Sequence, residues 1–439
     1  MLAESELAAT APEYLQSRTS SSATSTASSL ERRSFETLIR QAANVVFATS
    51  NSGELARMLE DGRRFDWSII EEAGKAHGFD LALALQASHR LLLIGDQSQL
   101  PPYNFERFET LFREPPRILN ALKMGAQFAP GLIDRAFMNL DANGQIKFSD
   151  SCSEWLPMVQ FFAELFLRAT KSTVAGVSIA QQLKFQHRMH PEIAKLVSEC
   201  FYKGRLKTHP DAIKRFSEEP PPYSIVAGSW LPAAPVVFID MPWVQQEKFA
   251  GGEEGGDGAP RYSNPTEIEA VGRVLSTIRS VDGVSCHVQV ISPYRAQVRR
   301  IASAIGDRMR LGADLENLLA PEFDMDVGKR KGATVDEFQG SEADIIIASL
   351  VRNNDEKPGK GLGFLADPRR VNVLVSRARH KLVLIGSWNF MESRIDCSVE
   401  PNGEEELAHI ARLIRFLKHG RQTGSVAVVP YSLTKGSLF

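Results

Sequence analysis

The stretch from Thr334 to Asn354, TVDEFQGSEADIIIASLVRNN, and its continuation from Gly363 to His380, GFLADPRRVNVLVSRARH, decide how this chain folds. Ile345–Ile347 is a short β-branched run, and Leu382–Ile385 is a second apolar run just beyond the quoted residues. Runs of the same kind recur at Val45–Ala48, Trp67–Ile70, Leu91–Ile94, Val236–Ile239 and Val288–Ile291, with amphipathic stretches between them. Short apolar strands alternating with helices predict an α/β fold built on parallel sheets.

The helices are readable from their apolar faces. After Pro191, the residues Ile193, Leu196, Val197, Cys200 and Phe201 share one face. After Asn264-Pro265, so do Ile268, Val271, Val274, Leu275 and Ile278, with Asn264 as the expected cap. Leu407, Ile410, Ala411, Ile414 and Leu417 repeat the pattern later in the chain.

Composition narrows the function classes. With 439 residues, 43% hydrophobic and 24% charged, the chain can build two or three domains, each with a full core. A net charge of -2 means that any nucleic-acid contact would use local basic clusters in a groove rather than a cationic surface. Cys152, Cys200, Cys286 and Cys397 lie far apart without a CxxC pair, against a zinc module or a disulfide scaffold and for a reducing compartment. The start, MLAESELAAT, has no basic segment before an apolar core, and the apolar runs are too short or too interrupted to span a bilayer. A soluble cytoplasmic protein without membrane contact is expected. Ser17–Ser29 reads as a tail or linker of Ser, Thr and Ala, and Ala250–Pro260, rich in glycine and acids, as a loop.

Two strand ends carry polar groups toward one sheet edge. Trp67–Ile70 leads into Glu71-Glu72-Ala73-Gly74, and Leu91–Ile94 leads into Gly95-Asp96-Gln97-Ser98-Gln99-Leu100-Pro101-Pro102. Open α/β sheets bind ligands at such ends, and paired carboxylates there suit metal and water chemistry. Farther on come Gln186-His187-Arg188-Met189-His190-Pro191, then Ser292-Pro293-Tyr294-Arg295-Ala296-Gln297, then the opening stretch itself. No GxxxxGK[ST] occurs in these residues; Val327-Gly328-Lys329-Arg330-Lys331-Gly332 has no Ser or Thr in place and reads as a basic loop.

Taken in order, these blocks resemble the motifs of superfamily 1B nucleic-acid helicases, the group that holds the nonsense-mediated-decay helicase and senataxin. The resemblance covers nearly everything between the tails. It implies two RecA-like parallel-sheet lobes, the first incomplete at its N-terminus: residues 1–33 a tail, 34–194 a partial first lobe, 195–422 the second lobe and 423–439 a C-terminal tail. It implies ATP and Mg2+ between the lobes and single-stranded RNA or DNA across them.

By this likeness Glu72 orients the attacking water, Glu71 holds the magnesium through water, and Gln99, delivered beside Asp96, senses the γ-phosphate. Arg188 reaches the phosphates and His187 the base. Gly340 allows a close approach to the nucleotide, Glu342 faces it across the cleft, and Arg377 is the arginine finger. Arg379 would be structural or supporting. Thr49, Ser292 and Thr334 correspond to strand-contacting positions, although a Ser or Thr at a strand end is also an ordinary cap. The chain departs from the family at Glu71, usually Asp, and at His187, usually Tyr, which offers a smaller stacking surface than a phenol.

Three readings follow from the missing phosphate loop. The first is a truncated or split helicase that needs a separate chain to supply the loop. The second is a catalytically inactive module that grips nucleic acid or a protein. The third is an ATPase with a rearranged phosphate cradle. The first reading also predicts uncovered strand edges and a tendency to associate.

Overall fold

The computed structural model describes residues 42–50, 52–129, 131, 133–137, 139–174, 177–243, 262–310, 315, 322–325, 332–356, 361–395 and 407–434. The Ser17–Ser29 tail, the Ala250–Pro260 loop, Cys397 and, but for Gly332, the basic loop at Val327–Gly332 lie outside them. The chain divides into two compact units, one containing the described residues up to Ile69 together with Asp80–Leu92, the other Ile70–Phe79 with everything from Leu93 onward.

The smaller unit is lightly built. Helix α1, Gly53–Glu60, starts at Ser52, whose hydroxyl accepts from the Leu55 amide at 3.5 Å. Strand β1, Phe65–Ile70, pairs with β2, Ser88–Leu93, and Phe65 N donates to Ala87 O at 2.8 Å. Leu55, Met58, Leu81 and Ala87 are buried, but Trp67 is 53% and Ile69 61% exposed. Val45–Ala48, expected as a strand, is not one: Val45 and Phe47 are exposed and the segment joins no ladder. An apolar run this short becomes a strand only with a neighbour to pair with.

The larger unit opens with four helices, α2 Phe105–Arg113, α3 Pro115–Phe128, α4 Ala142–Val159 and α5 Phe161–Ala169. Leu119, Phe148 and Cys152 form a small core among them. Beyond α6, Pro191–Phe201, the chain builds its principal sheet from β3 Val236–Asp240, β4 Cys286–Ser292, β5 Phe323–Asp324, β6 Ala333–Thr334, β7 Ala343–Ser349, β8 Ala378–Gly386 and β9 Val426–Pro430. The order is β5-β4-β7-β8-β3-β9 with β6 beside β4, and every pairing is parallel. Parallel neighbours require crossovers, and α7 Pro265–Thr277, α8 Arg295–Arg310, α9 Pro368–Val375 and α10 Ala408–Thr423 lie between the strands in sequence. This is the mixed α/β architecture, with a parallel multi-strand sheet, expected of a RecA-like helicase domain.

Both faces of the sheet are covered, so its strands read as continuous apolar runs. Ile346, Leu382 and Leu384 join Ile193, Leu196, Leu374 and Leu417 in one core. Ile345, Ile347, Val383 and Ile385 join Val271, Val274, Leu275 and Ile301 in the other. Asn264 caps α7 as expected, accepting from Glu267 N at 3.2 Å. Glu267 is fully buried; its Oε2 accepts from Ser349 Oγ at 2.6 Å and from Val351 N at 2.9 Å, tying α7 to the end of β7. Lys381, buried in β8, donates from Nζ to Pro232 O and Ala234 O, both at 2.7 Å, and burial lowers its pKa to about 7.

Two expected boundaries move. The break between 194 and 195 falls inside α6, whose Ile193, Ala194, Leu196 and Val197 all pack into the sheet's core, so a division there would split one helix face. The supposed tail from 423 contains β9, which pairs with β3 from Val426 to Pro430 and buries Val426 and Val429. A valine-rich run beside an open strand edge completes the sheet instead of trailing from it.

Candidate functional site

Within the larger unit, the exits of the two N-terminal strands are held side by side: Ile94 N donates to Ile70 O and Ala73 N to Ile94 O, each at 2.9 Å. Glu71 and Glu72 therefore stand at the sheet edge where the sequence placed them. Glu72 adopts a left-handed backbone, φ 52 and ψ 32, and starts a single 3-10 turn, Ala73–Lys75. A non-glycine residue held there carries about 1–3 kcal/mol of strain, which surrounding structure must impose, and such residues concentrate at functional sites. Lys75 Nζ lies 3.5 Å from Glu72 Oε2. A Cβ placed on Gly340 would lie 4.0 Å from that same amine, an ordinary contact, so it is the φ of +86 rather than lack of space that asks for glycine there.

Asp96 organises the loop that follows. Its Oδ1 accepts from Ser98 N at 2.9 Å, and its Oδ2 from Gln99 Nε2 at 3.0 Å and from the Tyr202 hydroxyl at 2.5 Å. Gln99 in turn accepts, through Oε1, from Arg377 Nη2 at 3.2 Å. Arg377 is 3% exposed and is held at the foot of β8 by its own Nε, which donates to Val373 O at 3.1 Å. Burial, with Arg188 nearby, lowers its pKa to about 10, so the guanidinium stays charged at neutral pH.

Arg188 Nε lies 2.5 Å from Glu342 Oε2, and Arg379 Nε 3.8 Å from Glu342 Oε1. Arg379 also approaches Asp344 Oδ1 at 3.5 Å. The Arg188 segment is braced by Gln186, which accepts from Met189 N at 2.7 Å and donates to Met189 O at 2.9 Å. It docks on β8 through His190 N, which donates to Arg379 O at 2.7 Å. His190 itself caps α6, accepting from Glu192 N at 3.2 Å, and burial together with His380 lowers its pKa to about 4. Glu72, Gln99, Arg188, Gly340, Glu342 and Arg377, drawn from five separate stretches of sequence, thus lie within one unit, with Gln99 bonded to Arg377, Arg188 paired with Glu342, and the Arg188 and Glu72 charges both acting on Arg377.

The other expected residues stand differently. His187 is exposed and stacks on His209 at 4.4 Å, outside the Gln99–Arg377 cluster. Ser292 and Thr334 are register partners across β4 and β6. The Thr334 hydroxyl accepts from Glu337 N at 3.3 Å while Glu337 accepts from Thr334 N at 3.1 Å, a complete capping box. Ser292 is buried and its Oγ makes no hydrogen bond. Thr49 belongs to the smaller unit, exposed, with its carbonyl accepting from Ser52 N.

Among the described residues no group of three or more His, Cys, Asp or Glu could hold a metal unaided. Magnesium does not need one, since it keeps several waters and binds through one or two carboxylates plus the phosphates of its nucleotide. Glu71 and Glu72 fit that donor set. No helix among the described residues is long and apolar enough to cross a membrane.

Tyr202, Asn372 and Lys75 touch the expected residues without having been singled out in the sequence: Tyr202 bonds Asp96, Asn372 donates to Tyr202, and Lys75 pairs with Glu72. Tyr202 follows the apolar face of α6, and Asn372 interrupts an apolar helix at Val371-Asn372-Val373. A lone polar residue inside an apolar run is the one signal that could have pointed to Asn372.

Residues 163–389, just over half of the chain, match a family described as "AAA domain", and residues 4–107 match a second family of the same description. The Regulator of nonsense transcripts 1 homolog of Neurospora crassa is 32% identical over 207 residues, 47% of this chain and 16% of that protein. Helicase SEN1 of Saccharomyces cerevisiae is 26% identical over 365 residues, 81% of this chain and 13% of that protein. The DNA polymerase alpha-associated DNA helicase A of the same yeast is 27% identical over 382 residues, 83% of this chain and 45% of that protein. The chain therefore spans less than half the length of each of these relatives. With its motifs in family order, its parallel sheet and its ordered set of matches, the chain belongs to the superfamily 1 helicases of the nonsense-transcript-regulator and senataxin type.

Proposed function

We propose that this chain works on single-stranded RNA or DNA as an ATP-dependent helicase unit, with the nucleotide's γ-phosphate meeting Gln99, Arg188 and Arg377. The observation that carries the reading is the Arg377–Gln99 hydrogen bond at 3.2 Å, which joins residues 278 positions apart in sequence. A buried guanidinium with an amide beside it suits a transition state whose charge spreads over the equatorial phosphoryl oxygens. Glu71 would hold magnesium, which when bound neutralises phosphate charge; Glu72 would orient the attacking water. Single-stranded nucleic acid would run past the ends of β4 and β6, where Ser292 and Thr334 are register partners. The proposed compartment is the cytoplasm, because Cys152, Cys200 and Cys286 are free thiols, which suit a reducing medium. The reading does not call on a second chain for the phosphate loop, since neither the fold nor the relatives point to one.

A second reading, strand binding without turnover, is favoured by how the site's charges pair internally. Lys75 is engaged by Glu72, Arg188 by Glu342 and Arg377 by Gln99. ATP hydrolysis by the purified chain, with and without single-stranded RNA and DNA, separates the two. Strand-stimulated turnover that falls about 10³-fold in Arg377→Ala is the expected result, within the range of arginine fingers. No turnover with retained strand binding would replace the first reading by the second.

A further inference from the structure

Gln99 is oriented by two residues that have been given no role. Tyr202, at the end of α6, donates its hydroxyl to Asp96 Oδ2 at 2.5 Å, the same oxygen that accepts from Gln99 Nε2 at 3.0 Å. Asn372, fully buried on α9, donates from Nδ2 to the Tyr202 oxygen at 3.0 Å and to Ser98 O at 2.8 Å. Every donor in this chain has one available direction. Asn372 occupies the tyrosine's acceptor side, so the phenolic proton points to Asp96. Asp96 is an acceptor only, so it takes the Gln99 amino group. Gln99 is then left presenting Oε1, the one orientation in which Arg377 can donate to it. An amide flip would set the Gln99 amino group against the guanidinium, donor against donor.

We infer that Tyr202 and Asn372 are positioning residues which, through Asp96, fix the orientation of Gln99 and thereby set the preference of the site for a nucleotide carrying a γ-phosphate. The inference rests on Gln99 being the γ-phosphate contact proposed above. Burial and the Asp96 carboxylate both raise the Tyr202 pKa, so the hydroxyl remains a donor across the working pH range. The arrangement also links three elements, the loop after β2, the end of α6 and the middle of α9, so a change at the phosphate can be felt at the helices behind the sheet edge.

The experiment measures binding of ADP and of a β,γ-imido ATP analogue to the purified chain and to Tyr202→Phe, Asn372→Ala and the double variant, with thermal melting of each. The analogue should bind about tenfold more weakly in each single variant, the scale of one lost hydrogen bond to a charged group, while ADP affinity stays within about twofold. The double variant should fall no further than either single, because both act through Asp96. Equal weakening of both nucleotides, or no change in their ratio, would overturn the inference and leave a purely structural tyrosine. A wild-type chain that binds neither nucleotide would instead remove the Gln99 reading on which it stands. If Tyr202→Phe does not fold, Asn372→Ala carries the same comparison.

Discussion

Strands β1, FDWSII, and β7, ADIIIAS, are of similar length and both carry the apolar residues that strands prefer, yet their surroundings are opposite. All seven residues of β7 are buried, whereas β1 has none fully buried and leaves Trp67 and Ile69 more than half exposed. The difference lies in neighbours, not in residues. β7 has β4 on one side and β8 on the other, with helices packed over both faces; β1 has β2 alone. A parallel strand gains its stability from burial on two faces, and a two-stranded pair cannot supply it. Arg90 and Lys381 repeat the contrast with charge: the β2 guanidinium lies over the Trp67 ring at 5.6 Å in solvent, while the β8 ammonium is sealed within the sheet unit.

Substitutions in the two regions should therefore differ several-fold in cost. The largest effect is expected at Glu267→Ala, which strips acceptors from Ser349 Oγ and Val351 N in a buried network; a loss of about 3–4 kcal/mol in chemical denaturation is expected. Ile346→Ala should follow at about 3 kcal/mol, the usual range for a core isoleucine whose cavity cannot collapse. A cost below about 1 kcal/mol at either position would mean that the sheet is far looser than its burial implies.

Lys381 gives a test by pH. Its folded pKa, about 7, lies below the unfolded value, so between roughly pH 7 and 10.5 the unfolded chain binds the extra proton and stability rises with pH. Below about pH 7 the penalty of the buried charge is present in full. Lys381→Met should flatten that slope, which is on the order of 1 kcal/mol per pH unit where it is steepest. Denaturation midpoints at pH 7 and pH 9.5 suffice, and parallel curves for the two proteins would argue against a buried amine that loses its proton.

The smallest change is expected at Trp67→Ser on β1, within about 0.5 kcal/mol, as for surface positions generally. Its visible effect should be on association: light scattering of a Trp67→Ser, Ile69→Thr variant should show less self-association than the parent, since exposed apolar strands invite pairing. A monodisperse parent chain would break the comparison at its weaker end.

Much of the larger unit was legible because its strands are buried on both faces and so announce themselves as apolar runs. The helix faces and the Asn264 cap follow local rules of spacing and hydrogen bonding, and they read correctly for the same reason. Val45–Ala48 failed because four apolar residues carry no information about whether a partner strand exists. β9 was missed because a valine run after a helical stretch looks like a tail unless the open edge of β3 is already known. In the candidate site, motifs singled out Glu72, Gln99, Arg188 and Arg377, but nothing singled out Tyr202 and Asn372. Their hydrogen bonds reach 106 and 274 positions along the chain, and only the folded backbone makes those distances short.

The position of β3 in the sheet has a consequence for how the protein is made. It is the first of the principal strands to leave the ribosome, but it lies between β8 and β9, two of the last. Until residue 430 has emerged, Val236–Asp240 has at least one bare edge, and the hydrophobic strand must wait through the synthesis of nearly two hundred residues for its second partner. A nascent chain paused before β9 would be the form most exposed to chaperones and most open to mispairing with another copy of itself.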